Sequence, residues 1–429
     1  MKKLFLYILF FMIAASNAAL AQDAAADAAH NLEKAKAEMK RNRMDLSPDY
    51  TQAVDLLQKV VAVDSTKAEA WYYYGYALDR LNSFDGETML DVDLHQTMKA
   101  SEAFQKSIAL SDSDTYKGEI LLLDPHTKIL TAWGSQAYRY FYEDKRDSAE
   151  WCLRQAFQRG GVNRTVLDYF RQVVDECSAG AYLFTNGDMY LYYLLYLQVI
   201  ERYRVDVRFI DLNLLNTRWY PAWLQTKGIL NVSYSADDLA KVEVEKWTTR
   251  SVTINNKNDK YGDSLITWQL KPTYASKFIL RSDKIVLNLL QQNSFEKEVF
   301  FAGDVPPNMS LFLDTYLQSR GLTSKMVTHP KGDNTFELEL RLQKLQHIST
   351  ESRSYLNNRD NIQLLNNYRF AYGTAAIIAS QNNHPEKALE FLESAERKYP
   401  EEVLPYFAPE TKAYFQQLKE KASKGEKLE

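Results

Sequence analysis

The residues of this chain best suited to chemistry gather between Ala181 and Trp223, in AYLFTNGDMYLYYLLYLQVIERYRVDVRFIDLNLLNTRWYPAW. Thr185-Asn186-Gly187-Asp188 stands where a short apolar run gives way to a helical pattern. Asp211 closes a second apolar run and is followed by Asn213, Asn216, Thr217, Trp219 and Tyr220. If the two runs are neighbouring parallel strands, Asp188 and Asp211 emerge on one sheet edge, where open α/β sheets bind ligands. Asn186-Gly187 lets the backbone take a positive φ there. Two carboxylates on such an edge can orient sugar hydroxyls, hold a metal, or act as acid and base. Trp219 beside carboxamides suits the face of a sugar. Plainer roles also fit: Asp188 can accept the orphan amides of a helix start, and the residues after Asp211 can be turn chemistry around a core tryptophan. An anionic ligand would be repelled by Asp188, so a phosphate-cradling glycine loop is excluded and a hydroxyl-rich or cationic group fits better. The candidate ligand-binding residues are therefore Asn186, Gly187, Asp188, Asp211, Asn213, Asn216, Thr217 and Trp219.

No other motif competes with this stretch. The six histidines (His30, His95, His126, His329, His347 and His384) lack zinc-ligand spacing, and no P-loop or G-x-S-x-G elbow occurs. No cofactor, metal site or catalytic set is assigned. Asp85, Glu87, Asp91 and Asp93 form an acidic loop without the glycine and terminal glutamate of a calcium-binding hand, and read as solvated surface. Tyrosine clusters at 71–76, 138–142 and 189–197 suit either a binding groove or the layers between packed helices.

The elements that must position these residues follow from the rest of the chain. Lys2 and Lys3, an apolar run from Leu4 to Ala15, and Ala19-Leu20-Ala21 have the form of a secretory signal peptide, 1–21, cleaved after Ala21. The expectation is a periplasmic or secreted chain with no transmembrane segment after cleavage, since the densest later run, Met189 to Ile200, has twelve residues. Losing the two lysines takes the formal charge from −4 to −6, which excludes nucleic acid as a partner. Cys152 and Cys177 are the two cysteines, expected as buried free thiols because their flanking helices place them out of register.

Helical hairpins occupy both ends. Trp133, Ala137, Tyr140, Ala149, Leu153 and Ala156, and again Ala376, Ala388, Leu392, Ala395 and Pro400, fall at the spacings of a tetratricopeptide helix pair. Ala53, Leu57 and Val60, then Trp71, Tyr74, Gly75, Leu78, Ala100, Phe104 and Ser107, give two partial matches. The chain thus resembles tetratricopeptide repeat proteins over 29–177, and over 362–425 as one repeat plus a capping helix. Between them, at 178–345, strands alternate with helices. The strands are expected at 181–185, 207–211, 299–302 and in Phe336, Leu338, Leu340 and Leu342, with a β-hairpin at 252–270 making the sheet mixed and a helix at 310–319. The fold class is α plus α/β: tetratricopeptide-like hairpins flanking a Rossmann-like domain.

The segments LFTNGD, VDVRFIDLNLLNTRWY and EVFFAGDVPPN with LDTYLQSRGLTSKMV resemble the soluble region of bacterial multi-pass membrane proteins of unknown function related to protein O-mannosyltransferases. The resemblance covers about 181–327. It departs at Met189-Tyr190-Leu191, where Asn-Asp-Thr usually follows TNGD, and the membrane portion in which transferase chemistry would be expected is not part of this sequence. The resemblance thus implies an envelope protein more than an activity. The function expected is a non-catalytic interaction scaffold in the cell envelope. A protein or peptide partner would lie on the repeat surface, and an envelope glycan or small ligand in the α/β domain. The alternative is a glycan-acting hydrolase or transferase using Asp188 and Asp211.

Overall fold

The computed structural model describes residues 2–43, 45, 48–111, 123–257 and 265–429, with side chains from residue 22 onward. Two compact units divide between Gly161 and Val162.

The first unit is helical: α1 (Lys2–Arg43), α2 (Thr51–Val63), α3 (Ala68–Asn82), α4 (Leu94–Leu110), α5 (Pro125–Tyr142) and α6 (Arg146–Gln158). The segment read as a signal peptide forms the first half of α1. Beyond it Ala28, Leu32, Ala35 and Met39 recur every three or four residues and are buried, and α1 packs on α2. Consecutive helices pack in pairs, α1 with α2, α3 with α4 and α5 with α6. Small residues permit the close approach. A Cβ on Gly75 would meet the Phe104 ring at 2.9 Å, and one on Gly161 would meet the Leu130 amide nitrogen at 2.7 Å. The acidic loop between α3 and α4 is turn chemistry: Asp85 accepts the Thr88 amide at 2.9 Å, and Asp93 caps α4 by accepting Gln96 N–H at 3.0 Å.

The second unit begins with α7 (Arg164–Asp175) and continues through β1 (Tyr182–Thr185), α8 (Asp188–Val199), β2 (Arg208–Asp211), α9 (Trp219–Thr226), α10 (Ala236–Lys241), β3 (Glu245–Lys246), β4 (Arg250–Asn255), β5 (Leu265–Leu270), β6 (Phe278–Ile279), α11 (Arg281–Asn293), β7 (Val299–Ala302), β8 (Leu317–Ser319), β9 (Thr323–Met326) and α12 (Thr335–Lys344). It closes with α13 (Arg359–Leu365), α14 (Asn367–Gln381), α15 (Pro385–Lys398) and α16 (Pro409–Ser423), of which α14 packs on α15 and α15 on α16. A five-stranded mixed sheet has the order β2-β1-β7-β9-β8. β2, β1 and β7 are parallel and β9 is antiparallel to both β7 and β8, with Thr185 registered against Asp211. The β1 and β7 residues are buried throughout, as strands covered on both faces must be.

Three local expectations are corrected. The two strands expected at 252–270 pair as β4 and β5, but they form their own two-stranded sheet, and the main sheet is mixed because β9 runs against its neighbours β7 and β8. Positions 336–342 are helix α12. Thr335, Leu338 and Leu342 are buried at helical spacing while Phe336 and Leu340 are exposed, so the alternation of apolar residues straddles two helix faces. The 310–319 stretch is turns, a 3-10 turn at Asp314–Tyr316 and then β8, because Pro306-Pro307 and left-handed Leu311 and Phe312 break any helix. Both cysteines are buried and free, and burial pushes the Cys152 thiol up to about 12.

Candidate functional site

Because β1 and β2 are parallel neighbours, both of their carboxyl ends open on one edge, and β7 adds a third. Gly187 takes φ +90°, a conformation that costs any other residue, and turns the chain directly into α8. Asp188 is the first residue of that helix, with an exposed side chain. Its position at the start of the helix favours a carboxylate through the helix dipole.

Asp211 is placed differently. It is 1% exposed, and its carboxylate accepts three backbone amides: Gly187 N–H at 3.0 Å, Asn213 N–H at 2.9 Å and Leu214 N–H at 2.9 Å. One side chain at the end of β2 therefore fixes both the TNGD turn and the loop after its own strand. Burial raises its carboxyl, the nearby Asp188 charge adds to this, the three amides pull it back, and the balance stands at about 7.

The remaining predicted residues divide into two groups. Asn213 Nδ2 donates to Asn186 Oδ1 at 2.9 Å, so these two carboxamides bridge the loops above Asp211. Asn216 turns away: its Oδ1 accepts Ser282 N–H at 3.1 Å in the first turn of α11 and its Nδ2 donates to Leu212 O at 3.3 Å. Thr217 is buried, with its hydroxyl donating to Leu214 O at 2.7 Å and accepting Tyr220 N–H at 3.3 Å. Trp219 is 8% exposed and packs edge-on to Tyr220 at 5.4 Å, a core position. The edge thus gathers Asn186, Gly187, Asp188, Asp211 and Asn213, while the exposed Asn216 ties its loop to α11 and Thr217 and Trp219 serve the packing beneath.

Sequence reasoning missed Asp304. It follows β7 in Ala302-Gly303-Asp304, and parallel pairing of β7 with β1 sets it on the same sheet edge, within electrostatic reach of Asp211. Its side chain is accessible to solvent, yet enclosure by protein raises its carboxyl to about 7, with the Asp211 charge adding to the effect. Beneath Asp304 lies a buried polar layer, in which Tyr169 and Tyr190 share a hydroxyl–hydroxyl bond of 2.8 Å and Asn367 Nδ2 donates to the Tyr169 hydroxyl at 3.2 Å. The Asp304 charge opposes ionisation of both phenols. A signal for Asp304 existed in the third apolar strand before GDVPP. Its adjacency to β1 is a long-range fact that strand patterning does not carry.

Among the described residues, no group of three or more His, Cys, Asp or Glu has the geometry to hold a metal ion, so the three acids do not converge on one point. Among the same residues no helix is long and apolar enough to cross a membrane.

Residues 166–237, about a sixth of the chain, match the family model of TMEM260-associated domain 2. The match begins inside α7, spans β1, the TNGD turn and β2, and ends in α10. It fits the link to membrane proteins related to O-mannosyltransferases. No curated protein matches the chain.

Proposed function

We propose that this chain is a non-catalytic interaction protein of the cell envelope that recognises a glycan at the carboxyl edge of β2, β1 and β7. Paired helices of tetratricopeptide type serve a protein or peptide partner. The α/β part, Rossmann-like in its β1-α8-β2 unit, holds the sugar. The observation that carries the reading is the division of labour among the acids. Asp211 is occluded and holds the loops through three backbone amides, while Asp188 and Asp304 stay accessible. Carboxylates and the Asn186 carboxamide on a rigid edge are acceptors and donors for vicinal hydroxyls. The envelope location rests on the signal-peptide form of residues 1–21 and the partial family match.

Acid–base catalysis by Asp188 and Asp211 is the weaker reading. A general acid or base must reach a substrate proton, and Asp211 at 1% exposure has both oxygens engaged. The test is retention of the purified chain on an array of mannose-, glucose-, galactose- and N-acetylglucosamine-containing oligosaccharides. Retention is expected, and Asp188→Ala and Asp304→Ala should each abolish it without changing Tm. Absence of retention on every saccharide overturns the glycan reading, and release of a cleaved or transferred sugar favours the enzyme.

A further inference from the structure

A cavity of about 480 Å³ lies in the same unit as the acidic edge, a volume within the range of small-ligand sites. One wall is the sheet, through Leu317, Ser319 and Ser324. Ser319 is registered against Ser324 and lies two residues from Leu317 on β8, so the three side chains share one face. A second wall is α14, where Thr374, Ile377, Ile378 and Gln381 fall on one face of the helix. The loop after β7 supplies a third, through Val305 and Pro307. That third wall joins the cavity to the acidic edge. Val305 directly follows Asp304, so their Cα atoms are about 3.8 Å apart, and Val305 N–H donates to Ala302 O at 3.0 Å to hold the turn. A molecule engaged by the Asp304 carboxylate is therefore one residue's span from the cavity.

The chemistry of the lining narrows what it takes. The outer edge of β8 is covered by the 331–334 segment, since Lys331 N–H donates to Thr315 O at 2.7 Å and Asn334 Nδ2 to Ser319 O at 2.8 Å. Main chain is thus not offered to an extended peptide, and recognition falls to side chains. The same contacts set Lys331 at the Asp314 end of β8. These are the two charged residues of the lining, one of each sign, so the lining carries no net charge and selects a neutral ligand. Among the described residues, the hydroxyls of Ser324 and Thr374 and the Gln381 carboxamide make no hydrogen bond. Unmet donors and acceptors around an apolar patch of Leu317, Ile377 and Ile378 match a molecule with hydroxyls on its rim and C–H groups on its faces. A pyranose ring is built that way.

We infer that the cavity is a second saccharide subsite, so that the glycan recognised at the acidic edge is an oligosaccharide whose next, uncharged unit enters between β8 and α14. The inference rests on the glycan reading and adds chain length and neutrality to it. The test is calorimetric titration of the full chain with the methyl glycosides of mannose, glucose, galactose and N-acetylglucosamine, and with the homologous di- and trisaccharides of each. For the sugar that binds, an oligosaccharide is expected to bind roughly tenfold or more tightly than its methyl glycoside. Thr374→Trp, which fills the cavity from an exposed position on α14, should remove that gain, and Gln381→Ala should reduce it about threefold. Binding of the methyl glycoside and Tm should stay at the wild-type values in both variants, whereas Asp304→Ala should abolish binding of every saccharide. Equal binding of methyl glycoside and oligosaccharides, or a gain that survives Thr374→Trp, overturns the subsite and leaves the glycan reading standing. No binding of any saccharide overturns the glycan reading, and the subsite with it.

Discussion

Asp211 shows how one side chain can be decisive without touching a ligand. Its carboxylate accepts the Gly187, Asn213 and Leu214 amides. Asp211→Asn keeps the shape but turns an N–H₂ toward one of these donors, and a buried donor left unmet costs about 1–3 kcal/mol. The expected outcome is a loss of that size in chemical denaturation, with the fold retained. Asp188→Asn makes a different prediction. Removing the nearby like charge favours ionisation of Asp211, so its carboxyl should fall below about 7. A ¹³C titration of the Asp211 carboxyl checks this, and an unmoved or raised value refutes the coupling.

At the scale of elements, the helix pairs depend on small residues at points of close approach. Gly161 lies against the start of α5, where a Cβ would come within 2.7 Å of Leu130 N and 3.1 Å of Ala156 O. Both are backbone atoms that cannot swing aside, so Gly161→Ala is expected to cost about 1–3 kcal/mol. Gly332→Ala, with nothing within 4 Å of its Cβ, is the matched control and should leave the denaturation midpoint unchanged. The same scale shows what could be read from sequence. The TNGD turn, the strands on either side of α8 and the helix pairs at both ends announce themselves locally, through glycine chemistry, short apolar runs and helical spacing. The helix at 335–344 does not. Its apolar residues at 336, 338, 340 and 342 satisfy period two, and burial of Leu338 and Leu342 alone against the rest of the unit reveals the helical face. Asp304 escapes for another reason: its place depends on β7 pairing with β1, which is settled by packing over a hundred residues of chain, whereas of the Asp211 bonds only that to Gly187 needs β1 and β2 to be neighbours. Trp219, read as a sugar platform, is core because its ring is completed by Tyr220 and Trp223.

At the scale of the second unit, its first helix is tied to one of its last strands by a single carboxylate. Glu176, just past α7, accepts Leu322 N–H at 2.9 Å, Thr323 N–H at 2.7 Å and the Thr323 hydroxyl at 2.8 Å. Enclosure raises its carboxyl to about 7, against the pull of these donors. A carboxyl raised above its unfolded value favours the folded state fully below about pH 4.5, and that contribution is lost as pH rises through about 7. Denaturation of the wild type and Glu176→Gln at pH 5 and pH 8 should therefore show the wild type losing stability relative to the variant on going to pH 8. A difference that is flat or grows with pH contradicts the assignment.

The occlusion of Asp211 has a further consequence for how this edge can change over time. The turn holds its shape through main-chain amides, a left-handed glycine and an acid shut away from solvent, so its outward-facing residues are not the ones that secure it. Positions 188 and 304 are thereby open to exchange: a library randomised at both is expected to fold with the parent's geometry while differing in what it recognises. On the glycan proposal, selectivity at this edge would drift by single codons, and a collection of such chains would share one backbone while answering to different sugars.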